Sequence, residues 1–493
     1  MLFNSLDFII FFVIVLAAIS IWKYRKFQHL FIIISSLFFL YYTDNYLISL
    51  LILTILLHFY TGREIYRSVS VKRKKIFLII GTMGSLGILG FFKYADFAIS
   101  QFNILGNSIN LNPGIPLLEL ALPIGISFYT FQSLSYIIDI YRGELKPSKT
   151  LKEYAFFVAF FPPLVAGPIL RASNFLPQLR EKFNESDTSQ KLKLFVIKNQ
   201  NLKFGITLMT IGFFKKMFFA DNIGPLVTNI FSNPIGMESF SIILGAFAFG
   251  VQIYCDFSGY SDIAIGAAAI LGLKIPLNFN KPFFATSPSD FWARWHISLS
   301  TWVRDYLYFP LSFRIAFRRP GILVVISLLI SMAVMGIWHG ASWNFIIWGV
   351  VHGIFLASYT MLRKKFPNAS SNKFFKSKIG KISSILITQY LVFFTFIAFW
   401  MKDFDHMFYS MKKYVFLDFA VTDTFEIIQA NEFPILLLIL FSILHFISYK
   451  HGNIVEKISN FKIRYWILFL IVIFSTISLF YVGSAQEFIY FEF

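Results

Sequence analysis

The stretch Gly336-Ile-Trp-His-Gly-Ala-Ser-Trp-Asn344 joins two apolar segments and places a histidine next to a tryptophan and a glycine. Residues 322–335 before it are almost entirely aliphatic, and residues 345–356 after it are again apolar. Such runs are typical of helices that enter the hydrocarbon core of a membrane. An ionisable side chain at that depth is costly, so a functional role is the default interpretation of His339.

The composition agrees with a membrane location for the whole chain of 493 residues. Hydrophobic residues make up 57% and charged residues only 14%, which is far from the balance of soluble domains. The net charge of +18 comes from short basic runs between apolar segments. This pattern favours a lipid bilayer as partner and argues against nucleic-acid binding. The single cysteine, Cys255, excludes an internal disulfide framework and a multi-cysteine metal site, and no metal is expected.

The apolar segments predict an all-α, polytopic membrane bundle of about 11 to 13 spans, forming a single domain over residues 1–493. Basic runs at residues 23–26 and 63–75 follow the first and third segments, so both are cytoplasmic only if the N-terminus lies outside. Later basic runs place the C-terminus outside as well. Two proline sites within residues 154–170 predict a broken or re-entrant segment.

A polar stretch at residues 254–260 is expected to separate two apolar helices, residues 239–253 and 261–273. Its side chains are interpreted either as helix caps or as the lining of a polar tunnel, and capping is favoured. Lysines at the end of the preceding apolar segment, residues 204–219, are expected to reach toward the interface. The polar residues concerned are Asp256, Ser258, Tyr260 and Asp262.

Residues 274–320 contain no span but mix tryptophans with arginines, which is typical of a membrane interface. Within them, Ser287 is predicted to cap a helix that starts at Pro288, with Asp290 at its third position. Continued as one helix, this segment places Trp292 and His296 on a single apolar stripe.

Two of the eight histidines are candidates for catalysis, His339 and His296. A neutral imidazole can accept a proton from a hydroxyl group as that oxygen attacks an acyl carbonyl. The alternative for His296 is a buried polar neighbour of an interfacial tryptophan anchor. His352 lies thirteen residues beyond His339 and is expected outside its immediate site. Nucleotide-phosphate loops, zinc-protease motifs and nucleophile elbows are missing from the sequence, which argues against an ATP-driven pump and a serine hydrolase.

Five short motifs follow one another along the chain. They are Pro163-Leu-Val-Ala-Gly-Pro-Ile169, Cys255-Asp-Phe-Ser-Gly-Tyr-Ser-Asp262, Phe291-Trp-Ala-Arg-Trp-His-Ile-Ser-Leu-Ser300, Arg304-Asp-Tyr-Leu-Tyr308 and Trp338-His-Gly340. In this order they resemble the membrane-bound O-acyltransferases (MBOAT family), and most closely the bacterial branch with alginate and peptidoglycan O-acetyltransferases. The resemblance covers about residues 90–360, and residues 361–493 match only as further spans.

The resemblance implies a helical fold around a central tunnel in the bacterial inner membrane. A cytosolic donor, acetyl-CoA, and an extracytoplasmic acceptor would meet in the tunnel, and no permanently bound cofactor is implied. By this resemblance His339 is the essential histidine and His296 the second one. Trp338 and Asn344 would border the tunnel beside the polar residues named above. A basic cytosolic mouth could attract the donor phosphates, and its candidate residues are Lys281, Arg294, Arg304 and Arg318.

One departure from the branch concerns the turn after the fourth motif, where Pro310-Leu-Ser-Phe-Arg314 replaces a Pro-Leu-Gly-Gly pattern. It puts any ligand contact made by that turn in doubt.

The leading hypothesis is therefore a membrane O-acetyltransferase that modifies an extracytoplasmic polysaccharide. A partner acetyltransferase outside the membrane is expected, because the chain shows no soluble domain that could hold a polymer. Peptidoglycan is favoured over alginate or cellulose, since the chain is short and lacks extra domains. The alternatives are transfer of D-alanine from a carrier protein to teichoic acid and, from another class, a non-enzymatic exporter.

Overall fold

The computed structural model describes residues 1–22, 25–183, 199–316, 320–368, 372–481 and 487–489. Over these ranges the secondary structure is helical and includes no β-strand, which confirms the predicted all-α class. Among the described residues, six helices are long and apolar enough to cross a membrane, and three shorter helices are also apolar. The protein is thus a polytopic helical membrane protein, and the count of 11 to 13 spans stays a prediction. The six long segments are Phe27–Arg67, Val71–Ser108, Ser239–Ile270, Trp343–Lys365, Lys378–Trp400 and Glu432–His451.

The chain divides into two compact units. The first comprises Met1–Ile206 and Ile263–Pro276, and the second comprises Thr207–Asp262 and Leu277–Phe493. Each is described by itself below, and the single domain expected over residues 1–493 stays a prediction.

The first unit begins with helices whose ends follow local sequence signals. Helix α1 starts after Ser5, whose hydroxyl accepts a hydrogen bond from the Phe8 amide at 3.3 Å. The proline-rich segment is broken into two helices, α6 and α7, as the prolines predict. The helices are α1 Leu6–Ile21, α2 Arg25–Asp44, α3 Ile48–Arg67, α4 Val71–Ser108, α5 Ile126–Arg142, α6 Leu151–Ala159, α7 Phe161–Leu164 and α8 Ala172–Phe183, with a 3-10 turn at Asn45–Leu47 between α2 and α3.

The second unit contains the motifs around both candidate histidines. Helix α9 enters it from the first unit and continues through a π-helical turn, Phe214–Ala220. Its helices are α9 Asn199–Phe213, α10 Asp221–Phe231, α11 Ser239–Ile270, α12 Pro288–Trp292, α13 Ile297–Val303, α14 Phe309–Ala316, α15 Pro320–His339, α16 Trp343–Lys365, α17 Lys373–Lys376, α18 Lys378–Trp400, α19 Phe404–Val415, α20 Thr422–Ala430, α21 Glu432–His451, α22 Ile454–Ser459 and α23 Ile463–Leu479. A 3-10 turn at Pro282–Phe284 and a second π-helical turn at Arg304–Tyr308 complete it. The end of α11, from Ile263 onward, belongs to the first unit.

Helix α11 corrects one prediction, because it runs without a break through the polar stretch that was expected to separate two helices. Asp256 and Asp262 therefore lie inside a helix and cap nothing. Both carboxylates bind lysines instead, so their polarity does not require a helix end. Gly259 fits the helix because a Cβ there would lie only 2.7 Å from the Gly212 carbonyl oxygen, which shows how closely the two backbones approach.

Helices α15 and α16 form a hairpin whose backbones touch at glycines. A Cβ on Gly336 would lie 2.2 Å from the Phe345 carbonyl oxygen, and a Cβ on Gly349 would lie 2.3 Å from the Met332 carbonyl oxygen. Small residues at such crossings let transmembrane helices gain dispersion contacts that larger side chains would block. The hairpin sets the position of His339, the last residue of α15.

We predict that Gly349→Ala lowers the stability of the protein by about 1–3 kcal/mol, because the added methyl group overlaps the Met332 carbonyl. The measurement is the midpoint of thermal unfolding of the purified protein in detergent. Gly87→Ala is the matched control, since a Cβ at that helical glycine meets nothing within 4 Å. Equal midpoints for the two variants would contradict the close crossing.

Candidate active site

The segment before His296 forms the predicted helix start but not the predicted continuous helix. The Ser287 hydroxyl accepts a hydrogen bond from the Asp290 amide at 3.1 Å, which confirms the N-cap. The Asp290 carboxylate then accepts from the Thr286 amide at 3.0 Å. However, α12 ends at Trp292, and His296 takes the left-handed conformation with φ 42° and ψ 53°. The expected stripe that joins Trp292 and His296 on one helix is therefore wrong.

Asn278 holds the backbone on the far side of this turn. Its carboxamide oxygen accepts hydrogen bonds from the Ser298 hydroxyl at 2.6 Å and the Ser298 amide at 3.3 Å. Its carbonyl accepts from the Ile297 amide at 2.9 Å, and its side-chain nitrogen donates to the Ser261 hydroxyl at 3.1 Å. A left-handed conformation at a residue other than glycine is strained, and it persists where the surroundings over-determine it. The hydrogen bonds between Asn278 and residues 297 and 298 provide this support beside His296.

The candidate histidines belong to one chain of aromatic contacts. The ring of His296 lies 6.1 Å from that of Trp338, measured between centroids, and Trp338 lies 5.0 Å from His339. Trp348 continues the chain at 5.0 Å from His339 and 4.8 Å from His352. The structure therefore brings His339, His296 and Trp338 together, as the motifs suggested.

His352 belongs to the same chain of aromatic contacts, but Trp348 lies between it and His339, which agrees with the expectation that it lies outside the immediate site. Helix α16 runs back along α15, so a Cβ on Gly353, the residue after His352, would lie 3.1 Å from the Leu329 Cα atom, well before His339 in α15. The Nε2 atom of His352 lies 2.9 Å from the Thr395 hydroxyl, and that hydroxyl donates to the Val392 carbonyl at 2.6 Å. Because the hydroxyl proton is used in this bond, Nε2 of His352 is the donor to Thr395. This bond gives His352 a structural role.

Burial determines the protonation of the site. His296 is 1% exposed and His339 is 6% exposed. Burial lowers the pKa of His296 to about 3, because the charged imidazolium loses its hydration. His296 is therefore neutral across the physiological pH range. A neutral imidazole in a water-poor aromatic pocket can accept a proton from a hydroxyl group, but it makes a poor permanent counter-ion.

A buried ion-pair cluster lies along the same helix that carries the second motif. The Lys216 ammonium group binds Asp256 at 2.6 Å and Asp221 at 3.0 Å, and Lys216 and Asp256 are almost completely buried. The expectation that Lys216 reaches toward the interface is therefore wrong. A burial of this kind is favourable only if every charge has a partner, which this geometry provides.

The chain near its C-terminus completes this cluster. Lys216 donates to the Glu487 carbonyl at 2.7 Å, and the Ile489 amide donates to the Asp256 carboxylate at 3.0 Å. The Phe488 ring lies edge-on to Tyr260 at 4.9 Å between centroids. Neither Lys216 nor residues 487–489 were predicted as site residues, and a lysine inside an apolar segment was the only sequence signal.

The remaining polar candidates have separate environments. Lys215 binds Asp262 at 2.6 Å, and this pair is more accessible than that of Lys216. Ser258 is buried on α11 between the two paired aspartates. The Asn344 side chain donates to the Ala398 carbonyl at 3.0 Å, while its oxygen has no hydrogen-bond partner among the described residues.

The basic mouth inferred from the resemblance stays a prediction. Arg294 binds Asp290 at 2.7 Å, and Arg304 binds Asp305 at 2.8 Å, so both charges are neutralised locally. Lys281 begins the 3-10 turn in the left-handed conformation, and its role in donor binding stays a prediction. Arg318 lies outside the described residues.

The geometry gives a membrane-embedded helical protein with two buried histidines in one aromatic pocket, and the comparison with protein families identifies its class as the integral membrane acyltransferases. The family model described as "MBOAT, membrane-bound O-acyltransferase family" matches residues 142–394. This range includes His296, His339 and the buried ion pairs of Lys216 with Asp221 and Asp256. The chain belongs to this family.

The chain is also similar to individual proteins named for O-acetylation or D-alanyl transfer. The chain is 41% identical over 288 residues to a probable alginate O-acetylase of Azotobacter vinelandii, which covers 58% of this chain and 54% of that protein. It is 32% identical over 371 residues to the peptidoglycan O-acetyltransferase of Helicobacter pylori, covering 70% of this chain and 67% of that protein. It is also 30% identical over 300 residues to the teichoic acid D-alanyltransferase of Bacillus subtilis, which covers 57% of this chain and 70% of that protein. The chain thus spans about half the length of the first of these relatives.

We predict that Lys216→Met destabilises the protein by about 3–5 kcal/mol, because it leaves two buried carboxylates without a cation. Lys215→Met is the matched control on the neighbouring residue, and its more accessible pair should cost about 1 kcal/mol. Thermal unfolding in detergent measures both. A Lys216 variant as stable as the Lys215 variant would show that the buried pair does not hold the cluster.

We further predict that Asn278→Ala reduces turnover more than it reduces stability, because the backbone beside His296 loses its support. Leaving the Ser298 donors unsatisfied costs about 1–3 kcal/mol. Ser261→Ala serves as the control, since it leaves both bonds to Ser298 intact. If Asn278→Ala has normal turnover after correction for the folded fraction, Asn278 does not position His296 for the reaction.

Proposed function

We propose that this protein is a membrane O-acetyltransferase that takes an acetyl group from cytosolic acetyl-CoA and delivers it for O-acetylation of an extracytoplasmic polysaccharide. The observation that carries the proposal is the aromatic pocket that joins His296, Trp338 and His339 inside a family of membrane acyltransferases. Relatives named for alginate and peptidoglycan O-acetylation support an acetyl group and a polysaccharide acceptor. Peptidoglycan is the acceptor we propose first.

His339 acts as the general base in this proposal. Its imidazole accepts the proton of the acceptor hydroxyl while that oxygen attacks the thioester carbonyl, and the carbon–sulfur bond then breaks. The departing sulfur takes up a proton, so the products are an acetyl ester and CoA with a free thiol. The aromatic rings of Trp338 and Trp348 border His339 and limit the access of water, which would otherwise hydrolyse the thioester.

His296 has a supporting role on the donor side. It is neutral at physiological pH, so it can accept or donate one hydrogen bond without bringing a charge into the pocket. Its backbone takes the left-handed conformation between α12 and α13, next to the residues that Asn278 binds. The direction of the imidazole ring is therefore not set by either helix. Strain of this kind is found at functional sites, which supports a role beyond packing.

The acceptor hydroxyl belongs to the polymer itself or to a partner acetyltransferase outside the membrane. Cytoplasmic basic turns and an inner-membrane location with both termini outside complete the proposed topology.

The test uses cells that depend on this protein for O-acetylation of their polymer. We predict that His339→Ala lowers acetylation by at least about 100-fold, the usual contribution of a general base, while insertion and abundance stay normal. Mass spectrometry of cell-wall muropeptides and exopolysaccharide measures ester content and identifies the acceptor. His451→Ala, which alters an exposed histidine, is the control and should leave acetylation unchanged. A folded His339→Ala protein that still acetylates the polymer would refute the assignment.

A second candidate function is D-alanyl transfer from a carrier protein to teichoic acid. The Bacillus subtilis relative, 30% identical over 57% of this chain, favours it. Purified protein supplied with acetyl-CoA or with D-alanyl carrier protein distinguishes the two, since only the true thioester donor should be consumed in a His339-dependent reaction.

A further inference from the structure

A cavity in the second unit lies between the end of α16 and the beginning of α18. Its volume is about 1160 Å³, which is large enough for a nucleotide-sized ligand. Four cationic side chains line it, and no acidic residue does so within the described ranges. The cations are Arg363, Lys365, Lys376 and Lys381.

These four cations differ from the arginines near the histidines because none forms an ion pair within the part of the chain that the structure describes. Arg294 and Arg304 each have a carboxylate within 2.8 Å. Lys381 instead lies over the Tyr449 ring at 5.5 Å, and Arg363 lies over Tyr359 at 6.0 Å. The cavity therefore carries positive charge that is available to an anionic ligand.

The helix dipole explains the position of two of these four cations but not of the other two. Cations at the C-terminal end of α16 are favoured by the helix dipole, which accounts for Arg363 and Lys365. Lys376 directly precedes Ser377, the N-cap of α18, and Lys381 lies in the first turns of that helix. Cations at a helix N-terminus are disfavoured by the same dipole, so the dipole does not account for Lys376 and Lys381.

The other lining groups match a nucleotide. The rings of Tyr359 and Phe375 offer faces on which a base can stack, and the side chains of Asn368 and Asn372 offer amide donors and acceptors. Phosphate groups bind lysine and arginine through charge-assisted hydrogen bonds. Cations, aromatic rings and amides in one cavity together suit an adenine nucleotide that carries several phosphates.

The cavity is connected to the histidine pocket by two elements. Helix α16 carries Trp348 in the pocket and Tyr359 in the cavity, about 16 Å apart along the helix axis. Thr286 lines the cavity and directly precedes Ser287, the N-cap of α12. An extended pantetheine arm has a comparable length, so it could carry a thioester from this cavity to His339.

We propose that this cavity binds the phosphorylated nucleotide end of the acyl-CoA donor, with Lys376 and Lys381 as its main phosphate ligands. The proposal rests on the proposed function for the identity of the donor. It differs from the basic mouth predicted from the sequence, in which Arg294 and Arg304 each have a carboxylate partner.

The test measures CoA affinity of the full chain in phosphatidylcholine nanodiscs by isothermal titration calorimetry. We predict that Lys376→Gln/Lys381→Gln raises the Kd by about tenfold or more, because two charged contacts to phosphate are lost. Lys373→Gln/Lys378→Gln is the matched control, with the same charge change on the same two helices but away from the cavity. Its Kd should stay within about twofold of the wild type, and raising the salt concentration should narrow the difference between the two variants.

Each other outcome has a definite meaning. Equal CoA affinity in both double variants overturns the location and leaves the proposed function intact. A wild-type protein that binds no CoA refutes acetyl-CoA as donor, and the cavity assignment with it. Native mass spectrometry distinguishes CoA from an anionic lipid as the source of the bound phosphate. If the wild type retains an anionic lipid that the cavity variant loses, and the variant still binds CoA normally, the cavity is a lipid headgroup site and the proposal is overturned.

Discussion

The constraint on which the second unit depends is that a polar group buried in an apolar bundle needs a partner within the protein. Lys216 satisfies it with two carboxylates and the Glu487 carbonyl. His352 satisfies it through Thr395, and the donors of Ser298 satisfy it through Asn278. An unpaired group at such a depth costs several kcal/mol, so these contacts fix how the helices can be arranged. The same partners then determine which polar groups remain available for chemistry.

His339 and His296 are placed by different means that lead to one pocket. The glycine crossing of α15 and α16 brings Trp348 beside His339. A strained backbone turn, supported by Asn278, directs His296 toward Trp338 from another segment. Trp338 thus lies between two histidines whose surroundings are aromatic rather than charged. Burial in this pocket lowers the pKa of His296, because the charged imidazolium loses its hydration.

Much of this arrangement could be predicted from the sequence. Apolar runs predicted the helical membrane class, and the cap at Ser287 and the pocket position of His339 followed from local signals. Pairings between distant segments could not be predicted, because composition does not show which lysine meets which carboxylate. For this reason Asp256 and Asp262 were interpreted as caps, although they bind Lys216 and Lys215. The left-handed turn at His296 was also missed, since its hydrogen bonds come from Asn278, eighteen residues earlier.

A double-mutant cycle tests most directly the proposal that His339 and His296 act together on one thioester. The measurement is acetyl-CoA-dependent turnover of wild type, His339→Ala, His296→Ala and the double variant in proteoliposomes at equal folded protein. Residues that act as a unit give strongly non-additive losses. The account predicts that the double variant is no slower than the slower single variant within about threefold. Losses that multiply, or a single variant with wild-type turnover, would contradict it.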